Sequence, residues 1–221
     1  GNRKSRDWLP ALTLTAILPT DVFLRFSAGK VLSRPDYVGL TPSVSVNTTG
    51  QSVSIGNPNL DPIPANTFDL QGEWYYAKNA MVGLGVFRKD MKSFIQGVSE
   101  LATYSSLGIP NDLLQTPTGC SITGGTPACP TTPDTVVTVS RQVNTSGGPL
   151  NGAEFSWQTP FSFLPGAWSN FGMMSNVTRV HSKIKYLTRL DNPRTPDNEE
   201  LSMITNFTGL SPRPNNLTLY Y

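Results

Sequence analysis

The sequence predicts an all-β protein: an incomplete antiparallel up-and-down transmembrane β-barrel, present as a segment of about eight strands with long extracellular loops. Three observations support this fold class. Apolar and polar residues alternate with a period of two rather than 3.6. The predicted strands are joined alternately by short turns and long loops. Only 14% of the residues are charged and 38% are hydrophobic, which leaves an excess of Thr, Ser, Asn, Gly and Pro.

Composition and charge exclude several other classes of protein. A formal net charge of +2 gives no strong field toward nucleic acid, so no nucleic-acid partner is expected. The sequence contains no apolar run of about 18 residues, so it predicts no transmembrane helix. A barrel strand needs only about 9–11 alternating residues. The first seven residues lack the apolar core of a signal peptide. We therefore expect a mature chain or one that begins inside a larger protein.

The first two predicted strands cover residues 11–18 and 22–32, with a tight turn at 19–21. Their apolar positions fall on one face of a sheet and their polar positions on the other. The apolar face holds Leu12, Leu14, Ala16, Leu18, Leu24, Phe26 and Ala28. An irregular stretch with five prolines then extends from 33 to about 65.

The clearest predicted strand covers residues 68–76, and the next covers 82–92 after a turn at 78–80. Asp69, Gln71 and Glu73 share one face of the first strand, so that face is in contact with water. Arg88 falls on the apolar face of the second strand, near its outer end, where an arginine can reach lipid headgroups or lipopolysaccharide phosphate.

The remaining predicted strands cover 155–161, 173–182, 201–208 and 216–221. Short turns at 19–21, 78–80, 164–170 and 209–214 are assigned to one side, and loops at 33–65, 96–148 and 187–200 to the other. That asymmetry is typical of outer-membrane barrels. Aromatic residues that could form the interfacial girdle fall near strand ends, at Trp8, Trp74, Tyr76, Trp157 and Trp168.

The two cysteines, Cys120 and Cys129, lie in a Gly-, Pro- and Thr-rich part of the longest predicted loop. This spacing favours a local disulfide, which requires an oxidising compartment. Free thiols and a metal site are the less favoured alternatives. A metal site would need more ligands, and the single histidine, His181, is far away in sequence, so no metal or cofactor is expected.

Acidic residues on the predicted strands could be interpreted as the paired carboxylates of a glycosidase. Asp69, Glu73 and Glu154 come from different strands, however, and none has an evident positioned partner. His181 has no nucleophile motif around it, so no catalytic triad can be argued. We therefore expect no catalytic residues and no enzyme activity.

Ordered segments across almost the whole chain resemble TonB-dependent receptors of the outer membrane. Each segment alone is weakly specific, but the ordered set at compatible spacing is more so. The branch that it resembles most is the Xanthomonas/Caulobacter type, several members of which are associated with carbohydrate uptake. The segments are 33–37 (SRPDY), 56–60 (GNPNL), 64–66 (PAN), 68–70 (FDL), 73–76 (EWYY), 85–90 (GVFRKD), 150–154 (LNGAE), 164–166 (LPG), 176–178 (NVT) and 210–212 (LSP).

The resemblance implies a barrel of about 22 strands with an N-terminal plug in its lumen. Residues 1–221 are then expected to be part of the barrel domain, with the plug, the TonB box and the final strands absent. The implied function is energy-coupled uptake of an oligosaccharide or a ferric siderophore across the Gram-negative outer membrane. The implied partners are outer-membrane lipid, lipopolysaccharide and, through the plug, the TonB complex.

Ligand contact is expected in the long loops, first in 96–148 and then in 33–65. A disulfide that closes about ten residues would stiffen the tip of the longer loop and lower the entropic cost of binding. The aromatic candidates that could stack on a ligand are Tyr37 and Tyr104.

Two other functions remain open at this stage, a passive outer-membrane porin and a secreted β-sandwich binding protein. A sandwich also has period-two strands with polar outer faces. It rarely alternates loops of about 30–50 residues with turns of about three residues. For an incomplete barrel we expect an open curved sheet whose first strand does not pair with its last.

Overall fold

A computed structural model describes residues 6–47, 51–110, 113, 122–123, 126–127, 134–190 and 200–221. No helix in those ranges has the length and apolar character needed to cross a membrane. The elements in chain order are β1 (Ala11–Leu18), β2 (Val22–Ser33), α1 (Tyr37–Leu40), β3 (Val44–Asn47), β4 (Ser52–Ile55), β5 (Ile63–Ala77), β6 (Ala80–Met91), β7 (Ser93–Thr103), β8 (Ile122–Thr123), β9 (Thr126–Pro127), β10 (Val136–Ser146), β11 (Pro149–Pro160), β12 (Gly172–Ser182), β13 (Ile184–Arg189), β14 (Leu201–Thr205) and β15 (Asn215–Tyr220).

Seven strands form one antiparallel sheet in the order β1-β2-β5-β6-β11-β12-β15, here called the wall sheet. Leu14 pairs with Phe26, Phe26 with Leu70 and Leu70 with Val86, so the predicted apolar face continues across four strands. Leu14 and Leu70 are 56% and 50% exposed. A β-sandwich would bury this face against a second sheet, so the exposure argues against that alternative.

The opposite face of the wall sheet is polar, as predicted. Glu73 lies beside Gly83, Gly83 beside Ser156 and Ser156 beside Asn176 in the strand register. Among the described residues, β1 and β15 form the two edges of the sheet and do not pair with each other. The expected open sheet is therefore confirmed.

Three of the four turns predicted at one end of the wall sheet are confirmed, in the β1–β2, β5–β6 and β11–β12 connections. The β1–β2 and β5–β6 connections are tight, and Thr20, Asp21 and Asn79 adopt positive φ angles of 70°, 57° and 61° there. Asx residues tolerate this left-handed region better than most side chains. Aromatic side chains cluster at the same end, where the Trp157 indole donates to the Tyr76 hydroxyl at 3.1 Å.

The predicted strand at 201–208 and the predicted turn at 209–214 were placed wrongly. β14 pairs with β13 in a second sheet, not with the wall sheet. Residues 209–214 run beside the loop end of β12, where the amides of Thr178 and Val180 donate to the carbonyls of Pro214 and Pro212, both at 3.0 Å. Alternation of apolar and polar residues shows that a strand has two different faces, but it does not show which strand is its neighbour. β14 therefore gave the same sequence signal as a strand of the wall sheet.

The second sheet has the order β14-β13-β7-β10-β4-β3 and lies at the end opposite the tight turns. We call it the loop-side sheet. It contains much of what was predicted as the irregular loops 33–65 and 96–148. β7 begins two residues after β6 ends, and β10 precedes β11 with only Gly147 and Gly148 between them. The loop-side sheet is therefore a continuation of wall strands rather than a set of free loops.

Close packing at the junction of the two sheets explains the glycine pair. A Cβ added at Gly147 would collide with the carbonyl oxygen of Met91, and one added at Gly148 with that of Lys183. Above the junction, a small core of Val53, Tyr104, Val137 and Val139 stabilises the loop-side sheet. These four residues are at most 4% exposed.

Candidate functional site

Alternating Ser and Val residues give four neighbouring strands of the loop-side sheet two different faces. The motifs are 43–46 (SVSV), 52–55 (SVSI) and 137–140 (VTVS), with Val98-Ser99 on the fourth strand. Because successive side chains point to opposite faces of a strand, the valines build the core on one side. The serines are left together on the other.

The serines form a row that crosses β3, β4, β10 and β7. Ser45 pairs with Ser54, Ser54 with Ser140 and Ser140 with Ser99. Adjacent strands are spaced by about 4.8 Å, so the four hydroxyl groups are direct lateral neighbours. The Ser99 hydroxyl also donates to the carbonyl of Thr188, next along the sheet, at 3.4 Å. We call these four residues the serine row.

The serine row lines an open cavity of about 450 Å³. That volume lies within the range of about 300–1,000 Å³ that is common for small-molecule sites. Gly39, Gly56 and Gly97 contribute no side chain to its lining. A Cβ added at Gly97 would meet nothing within 4 Å, so the space beside the row is open there.

The short helix α1 lies at one edge of this cavity. The Asp36 carboxylate caps it by accepting a hydrogen bond from the Gly39 amide at 2.8 Å. A Cβ added at Gly39 would collide with the Gln142 side chain, so the helix packs closely on the sheet. Asn57 fixes the chain that follows by donating to the Gln142 carbonyl at 2.9 Å. The edge of the cavity is therefore held by specific contacts.

Charge is sparse around the cavity. Among its described lining residues, Arg141 is the charged one. Its guanidinium forms a 3.0 Å ion pair with Glu100, which offsets its charge. The polar groups that the cavity offers to a ligand are therefore mainly hydroxyl, amide and backbone groups, and they stand beside the apolar side chains of Val38, Ile55 and Val98. No group of three or more His, Cys, Asp or Glu residues suited to a metal ion occurs in the described parts of the chain.

The two tyrosines predicted to contact ligand lie in different surroundings. Tyr37 begins α1 with a side chain that is 89% exposed, directly before Val38, which lines the cavity. Tyr104 is fully buried in the loop-side core, where its hydroxyl donates to the Pro110 carbonyl at 2.9 Å. This burial raises the pKa of the Tyr104 phenol. Ligand contact by either tyrosine stays a prediction, but only Tyr37 stands at the cavity rim.

Cys120 and Cys129 fall outside the described residues, so their predicted disulfide stays a prediction. His181 lies exposed at the loop end of β12. The structure thus does not bring the histidine to the cavity, and it leaves the serine row as the feature that sequence reasoning missed. The repeated Ser-Val alternation was the signal that could have revealed it.

A second polar cluster lies on the polar face of the wall sheet, centred on Glu73. Its carboxylate forms a 2.7 Å ion pair with Arg25 and accepts hydrogen bonds from Gln71 and Tyr75, both at 3.0 Å. The Phe23 ring packs edge-on against Tyr75 at 5.5 Å. The Glu73 side chain is only 10% exposed. With a structural partner on each oxygen, this carboxylate is arranged as a brace between strands, not as a free acid or base.

Comparison with known proteins gives one family match. The family model described as "TonB dependent receptor-like, beta-barrel" matches residues 1–216. No curated protein sequence matches the chain.

Several solved structures are similar in fold. The siderophore receptor PirA from Pseudomonas aeruginosa is 17% identical with a TM-score of 0.52, over 80% of this chain and 28% of that chain. A ferric enterobactin receptor (PfeA) mutant from the same organism, in complex with enterobactin, is 19% identical with a TM-score of 0.52, over 89% and 24%. A double mutant of the Serratia marcescens hemophore receptor HasR, in complex with HasA and heme, is 12% identical with a TM-score of 0.57, over 96% and 29%. The chain therefore spans less than a third of each of these proteins.

Proposed function

The chain belongs to the TonB-dependent receptor β-barrel family, and on that premise we propose that it supplies wall and ligand vestibule to an energy-coupled uptake receptor. The cellular location is the outer membrane of a Gram-negative cell. In such barrels the short turns face the periplasm and the long connections face outward. The loop-side sheet accordingly faces the medium, and the wall sheet crosses the membrane.

The observation that carries the proposal is the serine-lined cavity on a sheet that continues the barrel strands. A ligand captured there lies above the polar face of the wall, on the route toward the lumen. The cavity is neutral in its chemistry, because Arg141 is paired with Glu100. It therefore favours an uncharged ligand that combines hydrogen-bonding groups with apolar surface. Both an oligosaccharide and a neutral ferric siderophore meet this description.

The proposal assigns residues 1–221 to the barrel domain and leaves energy coupling to a plug domain that engages the TonB complex. Outer-membrane lipid and lipopolysaccharide contact the apolar face of the wall sheet. The family consists of receptors and transporters rather than enzymes, and we propose that this chain has no catalytic activity. In support, the most buried carboxylate of the described wall sheet, Glu73, is engaged by Arg25, Gln71 and Tyr75.

The test is uptake by cells that carry or lack the parent gene, with TonB present or deleted. Labelled maltodextrins and labelled ferric siderophores are supplied separately at low concentration. The expected result is uptake of one ligand class that requires both the parent gene and TonB. Uptake that persists without TonB would overturn the receptor and indicate a passive porin instead.

The serine row is tested in the same assay with the double variant Ser54→Val and Ser140→Val. Each substitution removes a hydroxyl that contributes roughly 1 kcal/mol to binding, so the half-saturation concentration should rise by about 5- to 30-fold. The matched control is Ser52→Val, on the same strand and face as Ser54 but outside the cavity lining. Equal half-saturation for the double variant and the control would exclude the serine row as the ligand site.

A further inference from the structure

One glycine in the cavity that the serine row lines is not required by the backbone around it. Gly97 lies in the middle of β7, and the pairing of β7 with β10 continues on both sides of it without a register shift, so it does not mark a β-bulge. The described glycines with positive φ angles are Gly108, Gly166 and Gly209. Gly97 therefore has a backbone conformation that other residues can also adopt.

Packing against the described residues does not require a glycine at this position either. The two other glycines of the cavity make close contacts: a Cβ added at Gly39 would collide with the Gln142 side chain, and one added at Gly56 with the Thr41 carbonyl oxygen. A Cβ added at Gly97 would meet nothing within 4 Å. A glycine inside a strand weakens the strand, and it often marks a place where a ligand or another backbone approaches closely. The open space over Gly97 is therefore a contact point for a group from outside the described chain.

Three hydrogen-bonding side chains surround this open space. Gly97 pairs with Gln142, and Ser99 pairs with Ser140, across β7 and β10. Residues two apart on a strand share a face, so these four positions are the corners of a rectangle of about 5 Å by 7 Å on one face of the sheet. All four line the cavity. The rectangle has a hydroxyl group at two corners, a carboxamide at the third and no side chain at the fourth, which we call the open corner.

The three side chains can both donate and accept hydrogen bonds. Ser140 is exposed, and the Ser99 hydroxyl, which donates to the Thr188 carbonyl at 3.4 Å, keeps its lone pairs as acceptors. The Gln142 backbone carbonyl accepts from Asn57, whereas its side-chain amide forms no hydrogen bond with the described residues. None of the three side chains is charged. The open corner is thus bordered by neutral groups that suit a neutral, polar-edged ligand group.

We propose that Gly97 determines ligand specificity, because the open corner seats one flat, uncharged group whose edge forms hydrogen bonds with the three surrounding side chains. This inference rests on the proposed function, since it takes the serine-lined cavity as the ligand site. A flat group can lie on the bare backbone at Gly97 only while no side chain occupies the space. The sugar ring of an oligosaccharide and the hydroxamate group of a neutral ferric siderophore share this chemistry.

A side chain at position 97 would fill the open corner without disturbing the described protein. Gly97→Ala should leave the midpoint of urea unfolding at or above the wild-type value, because alanine weakens a strand less than glycine does. The same change should weaken ligand binding about 5- to 10-fold, the effect of losing about one hydrogen bond. Gly97→Leu fills more of the space and should weaken binding at least about 50-fold. A purely structural role would not combine unchanged stability with a loss of affinity that grows with side-chain size.

The test is equilibrium dialysis of the whole purified receptor against two labelled probes, maltoheptaose and ferrichrome, an uncharged ferric hydroxamate. The wild type should bind at least one probe, and the probe whose affinity falls with side-chain size at position 97 identifies the group that the open corner takes. The matched control is Gly85→Ala in β6 of the wall sheet, where an added Cβ meets its nearest atoms at 3.9 and 4.0 Å, and it should leave binding unchanged. Dialysis does not involve TonB, so a failure of energy-coupled uptake and a failure of the open corner give different results.

Three results would overturn the proposal. The first is binding of neither probe by the wild type. The second is wild-type affinity for the bound probe in the folded Gly97→Ala and Gly97→Leu variants. The third is a lower urea midpoint for Gly97→Ala than for the wild type, because another part of the receptor would then pack into the open corner. If Gly97→Leu does not fold, the affinity and the urea midpoint of Gly97→Ala decide.

Discussion

Removing the Glu73 carboxylate should destabilise the barrel wall more than removing any exposed carboxylate of the same face. The change is Glu73→Ala. It deletes the acceptor of Gln71 and Tyr75 and leaves Arg25 without its counter-ion. Because the Glu73 side chain is 10% exposed, water replaces these contacts poorly.

The magnitude follows from the burial of the two partners. Breaking a fully buried ion pair by removing one member costs about 3–5 kcal/mol. The Arg25 side chain is 40% exposed, so water can solvate part of its charge. We therefore expect the free energy of unfolding to fall by about 2–3 kcal/mol for Glu73→Ala. The double-mutant cycle of Glu73→Ala with Arg25→Ala should give a coupling energy of about 1–2 kcal/mol.

The assay is urea unfolding of the whole receptor refolded into lipid vesicles, with midpoints compared at constant slope. The matched control is Glu154→Ala on β11, which removes an exposed carboxylate from the polar face of the wall sheet that also carries Glu73. It should change the free energy of unfolding by no more than about 0.5 kcal/mol. Equal effects for Glu73→Ala and Glu154→Ala, or a coupling energy near zero, would refute the interpretation of Glu73 as a brace between strands.

Two further predictions concern the loop-side sheet and its junction with the wall. Tyr104→Phe removes the hydrogen bond to Pro110 but keeps the ring, so it should cost about 1 kcal/mol and increase proteolysis of the loop-side sheet at neutral pH. Because burial raises the Tyr104 pKa, the contribution of Tyr104 to the free energy of unfolding is fully present below the free phenol pKa of about 10. That contribution is lost as the pH rises through the higher pKa of the folded state, and Tyr104→Phe should not show this loss. Gly147→Ala should lower the yield of folded barrel in heat-modifiability gels, because its Cβ meets Met91 backbone, whereas Gly97→Ala should not; equal yields would contradict the close approach.

The wall sheet could be predicted because one physical constraint dominates it. Its outward face must be apolar and its inward face polar, and side chains alternate between the faces at every residue. The faces on which Leu70 and Glu73 lie could therefore be predicted from the sequence alone, and the strand register confirms both predictions. Arg88 was predicted on the apolar face near the loop end of its strand, and the structure places it there.

The loop-side sheet could not be predicted as a sheet because its pairings are long-range. β4 pairs in parallel with β10, across more than eighty residues of sequence. Several of its strands are short, and β4 is followed by a stretch rich in Pro and Asn that indicated only irregular structure. The alternation in 201–208 was read correctly as a strand, but nothing in it distinguishes a partner in the wall from β13.

The candidate site was predictable in location but not in composition. Aromatic residues in the two longest loops were chosen because rings stack on ligands, which selected Tyr37 and Tyr104. In the structure Tyr37 is exposed at the cavity rim, whereas Tyr104 is buried in the core on the other face of the loop-side sheet. The sequence alone does not distinguish a tyrosine buried in a core from one exposed at the rim of a cavity.

The way in which the two sheets are joined bears on how a ligand site can work in this chain. Lys92 on one side, and Gly147 with Gly148 on the other, link wall strands directly to the strands that carry Ser99 and Ser140. The amides and carbonyls of these links bond across the junction, as Gly147 donates to the Lys92 carbonyl at 3.3 Å. A site built on strands keeps its geometry better than one on a free loop. The serine row is therefore fixed relative to the wall sheet, so a ligand that bound there would be held in a defined position relative to the wall strands.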